Sequence, residues 1–342
     1  MNNPSSASSP YTARLLEEKD RSAVCALFKK VFSEEMPEAF WEWKYNHPQG
    51  KGTVVFKDDQ LVAHYGGIGT NILKQGENST AIQITDVMVD PAVRHAVRKS
   101  SPFFIAGTLF LDNFIGYKNP YLLGYGFPSD RHMRLAEMLG MYKPVGKMWE
   151  LTWPEPNFPT SFWQTYVQVT SENFESCKRK LNEIWFDFSH QLKEGIVCKK
   201  TSAYIKRRYL DHPTNEYRVY LVMNRFMPKV KGLLVLKIDE ESFNQSRGTK
   251  ISDKPAMIMD VMFSNKKELP KVISLAAQQA REHGHKSLQT WCSKGFLDWW
   301  QIGSPEQKEL PITTPANVWT DGPSPEELKD LWWLMPGDTD YL

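Results

Sequence analysis

The strongest constraint on what this chain folds into is a pair of short words that occurs twice in the same order. A helical stretch closing on a His-Pro step reads WKYNHP over Trp43–Pro48 and RRYLDHP over Arg207–Pro213. Each half then reaches Asp-Val-Met, first as Asp86-Val87-Met88 and again as Asp260-Val261-Met262. The spacing differs, 38 residues from Pro48 to Asp86 and 47 from Pro213 to Asp260. The order of elements does not: strands follow the His-Pro step, then the Asp-Val-Met strand, a helix (Pro102–Phe114; Leu269–His283) and a further strand (Tyr121–Tyr125; Ser287–Trp291). Duplication of one α/β unit accounts for that order, and 342 residues leave room for two domains of roughly 100 to 200 residues each.

Periodicity fills in the first copy. Val24, Leu27, Phe28, Val31 and Phe32 recur at helical spacing between Lys19 and Phe32. A second helix, Glu38–Tyr45, stops before His47-Pro48 because the residue before proline avoids helical dihedrals. Thr53–Phe56 and Leu61–Tyr65 flank the polar turn Lys57–Gln60, and Gly66–Ile72 and Ala81–Val89 continue an antiparallel meander. A helix over Ser129–Leu139 ends at Gly140. TWPEPNFP, with three prolines, reads as a linker over 152–160, and Ser171–Leu192 is the clearest amphipathic helix of the second half. The expected organisation is a disordered arm over 1–10, a first domain over 11–151, and a second over 161–342. The fold class is α/β (α+β), two tandem domains that each hold a mixed, mostly antiparallel sheet with flanking helices.

Charge and motif content narrow the function classes. With 42 basic and 40 acidic residues the net charge is +2, so no global field draws the chain to nucleic acid or anionic lipid, and neither is expected as a partner. Cys25, Cys177, Cys198 and Cys292 form no CxxC pair and read as reduced and structural, without a metal site. The opening MNNPSSASSP lacks a secretory pattern, and the most apolar run, Phe103–Leu111, is too short to span a bilayer, which places the protein in the cytoplasm. GxSxG, Walker, GxGxxG and zincin motifs are all missing, which removes the usual foothold for hydrolase, NTPase, dinucleotide-binding and metalloprotease readings.

From Tyr11 to Leu342 the order of elements resembles the GNAT superfamily of acyl-CoA N-acyltransferases in a tandem arrangement. In addition, GlyPhePro at Gly126–Pro128 followed by SDRHMRLAEMLGM is similar to the family's strand–turn–helix after the cofactor cleft. The resemblance implies an acyl-CoA co-substrate, acetyl-CoA or another, lying between splayed strands Ile82–Val89 and Tyr121–Gly126. It places cofactor contacts at Val87, Met88 and Val89 and at the loop RHAVRKSSPF. That loop lacks the family's phosphate-binding glycines, so Arg94, His95, Arg98 and Lys99 would supply charge, with Ser100 or Ser101 capping the helix that starts near Pro102. The family's frequent general-acid tyrosine is Ala136 here. The glycine-free loop SNKKELPKV in the second half suits a structural or acceptor-binding role.

Acylation of an amine needs a base for the amine and an acid for the leaving thiolate. Asp86, at the start of the cleft strand, is the candidate base, against the alternative of pairing with a cation within the sheet. Tyr125, at the end of the splayed strand, is the candidate acid, against a core role. His47 and His212 read as turn residues, His64 as core, and His283 and His285 as helix-end residues. The basic run Lys199, Lys200, Lys206, Arg207 and Arg208 reads as a solvated helix face, and the C-terminal tryptophans as packing. The expected function is acyl-CoA-dependent N-acyl transfer, most simply acetylation of a small amine or amino sugar by direct attack. The alternatives are a catalytically inactive GNAT-like binding protein and an aminoacyl transferase using charged tRNA.

Overall fold

The computed structural model describes residues 10–94, 98–156, 158, 162–227, 229–238, 243–244, 249–250 and 254–340. The expected arm, apart from Pro10, and His95 lie outside the described residues, as do 157 and 159–160 of the expected linker. Contacts divide the chain into two compact units, neither of them one uninterrupted stretch. The first comprises residues up to 70, 80–145 and 314–328; the second comprises 71–79, 146–313 and 329 onward. Among the described residues no helix is long and apolar enough to cross a membrane.

In the first unit, strands β1 (Thr12–Leu15), β2 (Gly50–Lys57), β3 (Gln60–Lys74), β4 (Glu77–Val89) and β5 (Leu123–Tyr125) lie in that order in one sheet. The β2–β3 hairpin turns at Asp58 and Asp59, both with positive φ, the two-residue geometry whose twist matches that of the strands. Gln75 and Gly76 make the same turn before β4. The two runs expected over Leu61–Ile72 form one strand, because Gly66 and Gly67 are present for clearance rather than as breaks. A Cβ on Gly67 would sit 2.7 Å from Phe110 Cζ.

Helices α1 (Arg21–Phe32) and α2 (Glu38–Tyr45) cover one face of this sheet, where Val24, Leu27, Trp41, Val54 and Met88 form a buried cluster. The other core cluster joins Val55, Tyr65 and Ile82 to Phe104 and Phe110 of α3 (Pro102–Phe114) and to Met133 of α4 (Asp130–Met138). Each fully buried side chain of this size contributes about 1.5 to 3 kcal/mol.

The second unit repeats the plan. From the end of β6 (Tyr142–Pro154) its sheet runs through β14 (Ser287–Ser293), β13 (Ala256–Phe263), β10 (Val230–Lys237) and β9 (Arg218–Asn224) to an edge at β7 (Gln164–Val169). Strand β15 (Glu306–Asn317) pairs with β6 on its far side, β8 (Ile196–Cys198) pairs with Ile72–Lys74 of β3 and with β16 (Trp332–Trp333), and β11 (Phe243–Asn244) pairs with β12 (Thr249–Lys250). Helices α5 (Phe174–Ser189), α6 (Ser202–Ile205) and α7 (Leu269–Glu282) belong to this unit, and α8 (Pro325–Leu328) to the first. Thr152–Pro154, expected to open a linker, finish β6: Trp153 opposes Leu288 and is buried, and Pro154 occupies the last position of the strand.

The repeated words do the same work twice. Tyr45 donates to Asp86 at 2.6 Å and Tyr209 donates to Asp260 at 2.9 Å. His47 Nδ1 accepts from the Gln49 amide at 3.2 Å, and His212 Nδ1 from the Asn215 amide at 3.0 Å. Each Asp-Val-Met strand, β4 or β13, is followed by a crossover helix and a parallel partner, β5 or β14. The basic run is not a solvated face throughout. Lys200 and Arg208 are buried, Lys200 against Asp260 at 2.6 Å and Asp338 at 3.1 Å, and Arg208 against the Thr339 carbonyl at 2.6 Å. Two carboxylates against one ammonium leave Asp260 pushed up to about 6, chiefly by burial.

Candidate acyl-CoA site of the first unit

β4 and β5 pair in parallel only from Ala81 and Leu123 to Gln83 and Tyr125; beyond that point the strands part. Asp86 lies just past the parting, and its φ of 47° is the left-handed conformation that asparagine and aspartate tolerate best, inside a strand. Its carbonyl accepts from His64 Nδ1 at 2.8 Å, and its carboxylate accepts from Lys44 Nζ at 2.9 Å as well as from Tyr45. Burial holds His64 below its usual range and hence neutral, so Nδ1–H is the donor to that carbonyl. The left-handed residue costs about 1 to 2 kcal/mol, which these three partners offset.

Past Asp86, alternation divides the side chains of β4. Met88 packs into the cluster under α1 and α2, while Asp90 accepts from Lys30 at 2.7 Å and from the Ala92 amide at 2.9 Å. Val87 and Val89 face the other way and line a cavity of about 720 Å³. Val93, Arg94, Ser101, Pro102 and Phe103 form its second wall, and the first two turns of α4 with Met138 form the third.

Two helix N-termini open on this cavity. Ser101 caps α3 by accepting from the Phe104 amide at 3.3 Å, with Pro102 at the first helical position, and Ser129 caps α4 at 3.5 Å from the His132 amide. Arg94, Arg131 and Arg134 bring three guanidinium groups against one carboxylate, Asp130. His132 is held below its usual range by burial and by Arg94 and Arg131, and so adds no charge at neutral pH. Arg94 is steadied by its own bond to the Val89 carbonyl at 2.9 Å. The arrangement suits an elongated ligand with an anionic end and an apolar stretch along Val87, Val89, Phe103 and Leu135.

Of the residues expected at the cofactor, Val87, Val89, Arg94 and Ser101 come together here. Met88 presents its side chain to the opposite face, and Arg98, Lys99 and Ser100 are exposed and outside the lining. Asp86 and Tyr125 are outside it as well, Tyr125 being buried at the end of β5. Sequence reasoning missed Arg131, His132 and Arg134. Their signal was the basic DRHMR run directly after a serine cap, where the helix dipole and side-chain charge add. Among the described residues no group of three or more His, Cys, Asp or Glu could hold a metal ion.

A mixed sheet with a short parallel pair joined through a crossover helix, built twice in one chain, defines a tandem GNAT-type fold. Residues 12–98 match the sequence model of the family described as "Acetyltransferase (GNAT) domain". No curated protein matches the chain in sequence. Among solved structures the chain is similar to a conserved protein of unknown function from Enterococcus faecalis, titled a probable N-acyltransferase. The identity is 13%, covering 94% of this chain and 74% of that one, with a TM-score of 0.66. It is similar also to a GCN5-related N-acetyltransferase from Kribbella flavida, at 12% identity over 91% and 72% of the two chains and a TM-score of 0.62. A third is the Saccharomyces cerevisiae N-myristoyltransferase with bound myristoyl-CoA, at 12% identity over 95% and 88% and a TM-score of 0.53. The fold is therefore that of the GNAT acyltransferases in tandem, as the resemblance in sequence implied.

Proposed function

We propose that the first unit binds an acyl-CoA in the cavity beside β4 and that the protein transfers the acyl group to an amine by direct attack on the thioester. The observation that carries this reading is a cavity lined by two capped helix N-termini, by three arginines and by the part of β4 that β5 no longer pairs. Arg94, Arg131, Arg134 and the α3 N-terminus would hold the phosphates, side-chain charge standing in for the absent glycines. Backbone groups of Val87–Val89, which β5 no longer pairs, would take the pantetheine amides. The matching acetyltransferase family supports acetyl as the acyl group, and a small amine or amino sugar remains the proposed acceptor.

Within this reading Asp86 is a brace. Its carboxylate is already engaged by Lys44 and Tyr45, and its work is to hold the backbone turn that separates β4 from β5. Tyr125, at the point of parting, remains the proposed proton donor to the thiolate, on position alone. Calorimetric titration of CoA and acetyl-CoA tests the site. An Arg131→Ala, Arg134→Ala double variant is expected to bind at least about tenfold more weakly, since each charge-assisted hydrogen bond is worth roughly 1.5 to 3 kcal/mol. Absence of binding by the unaltered protein at millimolar CoA would refute the assignment.

A further inference from the structure

One end of the second unit's sheet exposes an apolar surface with cations around it. β7 and β10 start at this end and β9 and β13 finish there, with Gln164 opposite Asn224, Val230 opposite Met223 and Gly232 opposite Phe263. Phe162 and Trp163, just before β7, and Phe226 and Met227, in the loop from β9 to β10, are 66%, 62%, 62% and 57% exposed. The Trp163 carbonyl accepts from the Arg225 amide at 2.8 Å, which ties the two segments together. At roughly 150 to 250 Å² for each aromatic side chain, the three rings leave on the order of 400 Å² open to water, and a contiguous apolar patch of that size with a polar rim is often a contact surface.

The rim is basic. Arg225 lies over Phe162, its Cζ 4.6 Å from the ring centroid, and Lys229 is exposed in the same loop. Lys231 follows on β10, where its carbonyl accepts from the Ser264 amide at 2.9 Å and so brings the turn with exposed Lys266 and Lys267 to the same end. Glu268 is shared between Lys271 at 2.7 Å and Lys231 at 3.5 Å, and Glu183 and Asp187 of α5 line a groove together with Arg179 and Lys229, so positive charge stays in excess around the aromatic tips. A net charge of +2 averages over the molecule: it gives no long-range pull toward an anionic surface and leaves room for a local one.

The chemistry of the tips favours lipid over the other polyanions. Nucleic-acid bases stack on open ring faces, whereas these rings pack on one another with centroids 5.2 to 6.3 Å apart and Arg225 covers Phe162. Tryptophan settles at the headgroup level of a bilayer, and lysine and arginine are drawn to anionic headgroups. We propose that this end of the second unit docks on an anionic lipid bilayer, with Phe162, Trp163, Phe226 and Met227 entering the headgroup region and Arg225, Lys229 and the neighbouring lysines facing the lipid phosphates.

Co-sedimentation with vesicles of phosphatidylcholine containing about one-third phosphatidylserine, against phosphatidylcholine alone, tests this. The protein is expected to bind the anionic vesicles, less so as salt is raised, and to leave the neutral ones. Arg225→Gln with Lys229→Gln should weaken binding about 25-fold, a factor of about five for each charge. Trp163→Ser with Phe226→Ser should weaken it by more than about tenfold. Melting temperatures should change little in either pair, because the altered side chains are exposed, and should one pair fail to fold the other still decides. Trp163→Phe is expected to keep the binding and to lower the quenching of tryptophan fluorescence by lipids brominated on their acyl chains, which reports insertion and not mere adsorption. No binding at millimolar anionic lipid, or binding undiminished by both pairs, overturns the proposal. So does self-association, or capture of a single-stranded oligonucleotide, that the same substitutions abolish while vesicles are left unbound.

Discussion

If Asp86 is a brace, its loss and the loss of Lys44 are the same lesion seen from two sides. The Lys44 and Asp86 side chains are 2% and 6% exposed and meet at 2.9 Å. Removing one partner of such a pair strands the other charge away from water, which costs about 3 to 5 kcal/mol. Asp86→Asn keeps the shape and tolerates the positive φ, while Lys44 falls back on Thr85 Oγ1 at 3.4 Å and the Phe40 ring at 4.4 Å, so a loss of about 3 kcal/mol is expected. Lys44→Met should cost a similar amount, softened by the Tyr45 hydrogen bond. The double variant should cost about 2 to 3 kcal/mol less than the two single losses together, because neither charge is then left alone. Urea denaturation followed by circular dichroism measures all four proteins, and acetyl transfer is assayed in parallel. A general base behaves otherwise: its removal lowers turnover about 10² to 10⁴-fold whether or not Lys44 is present. Asp86→Asn with unaltered stability and a loss of that size would refute the brace and restore Asp86 as the base.

Two further outcomes follow from the buried hydroxyls and carboxylates. Tyr125→Phe should lower the rate of acetyl transfer by about 10² or more with the Kd for acetyl-CoA unchanged, if its hydroxyl protonates the thiolate; an unaltered rate removes it from the mechanism. In the second unit, raising the Asp260 carboxyl from 3.8 to about 6 is worth about 3 kcal/mol, a stabilisation fully present below about pH 4 and lost as pH rises through 6. Asp338→Asn removes the neighbouring carboxylate, so the stability difference between variant and unaltered protein should change between pH 4.5 and 7, as read by urea denaturation, and a constant difference would be evidence against the coupling.

The fold was legible because its strongest signals were local and doubled. Pro102 marked the first turn of α3, leaving open whether Ser100 or Ser101 caps it, and the His-Pro words marked the ends of α2 and of its counterpart. What escaped was clearance between distant elements. Gly66 and Gly67 read as a break in the strand, although they are where Tyr45 and Phe110 press on β3, and nothing in the neighbouring residues says so. The three prolines of TWPEPNFP likewise argued for a linker, while only the partner strand β14 reveals that the first of them ends a strand.

The site escaped for a different reason, one that explains why the best candidate base turned out to be occupied. Strand alternation correctly grouped Asp86, Met88 and Asp90 on one face, yet it cannot say which face looks into a cleft. That depends on α1 and α2, whose Lys30 and Lys44 arrive from 60 and 42 residues away to claim both carboxylates. A Lys–Asp pair recurs at Lys200 and Asp260, from a different place in the repeat, while the turn after β13 (264–268) and the segment after β14 (Lys294–Trp300) carry no arginine. The Tyr–Asp bond shared by both copies thus marks what the duplicated fold requires, and Arg94, Arg131 and Arg134, in the first copy, are where the proposed function puts its ligand contacts. On that argument the acidic word that drew attention in the sequence belongs to the scaffold, and the proposed function rests instead on the unrepeated DRHMR run.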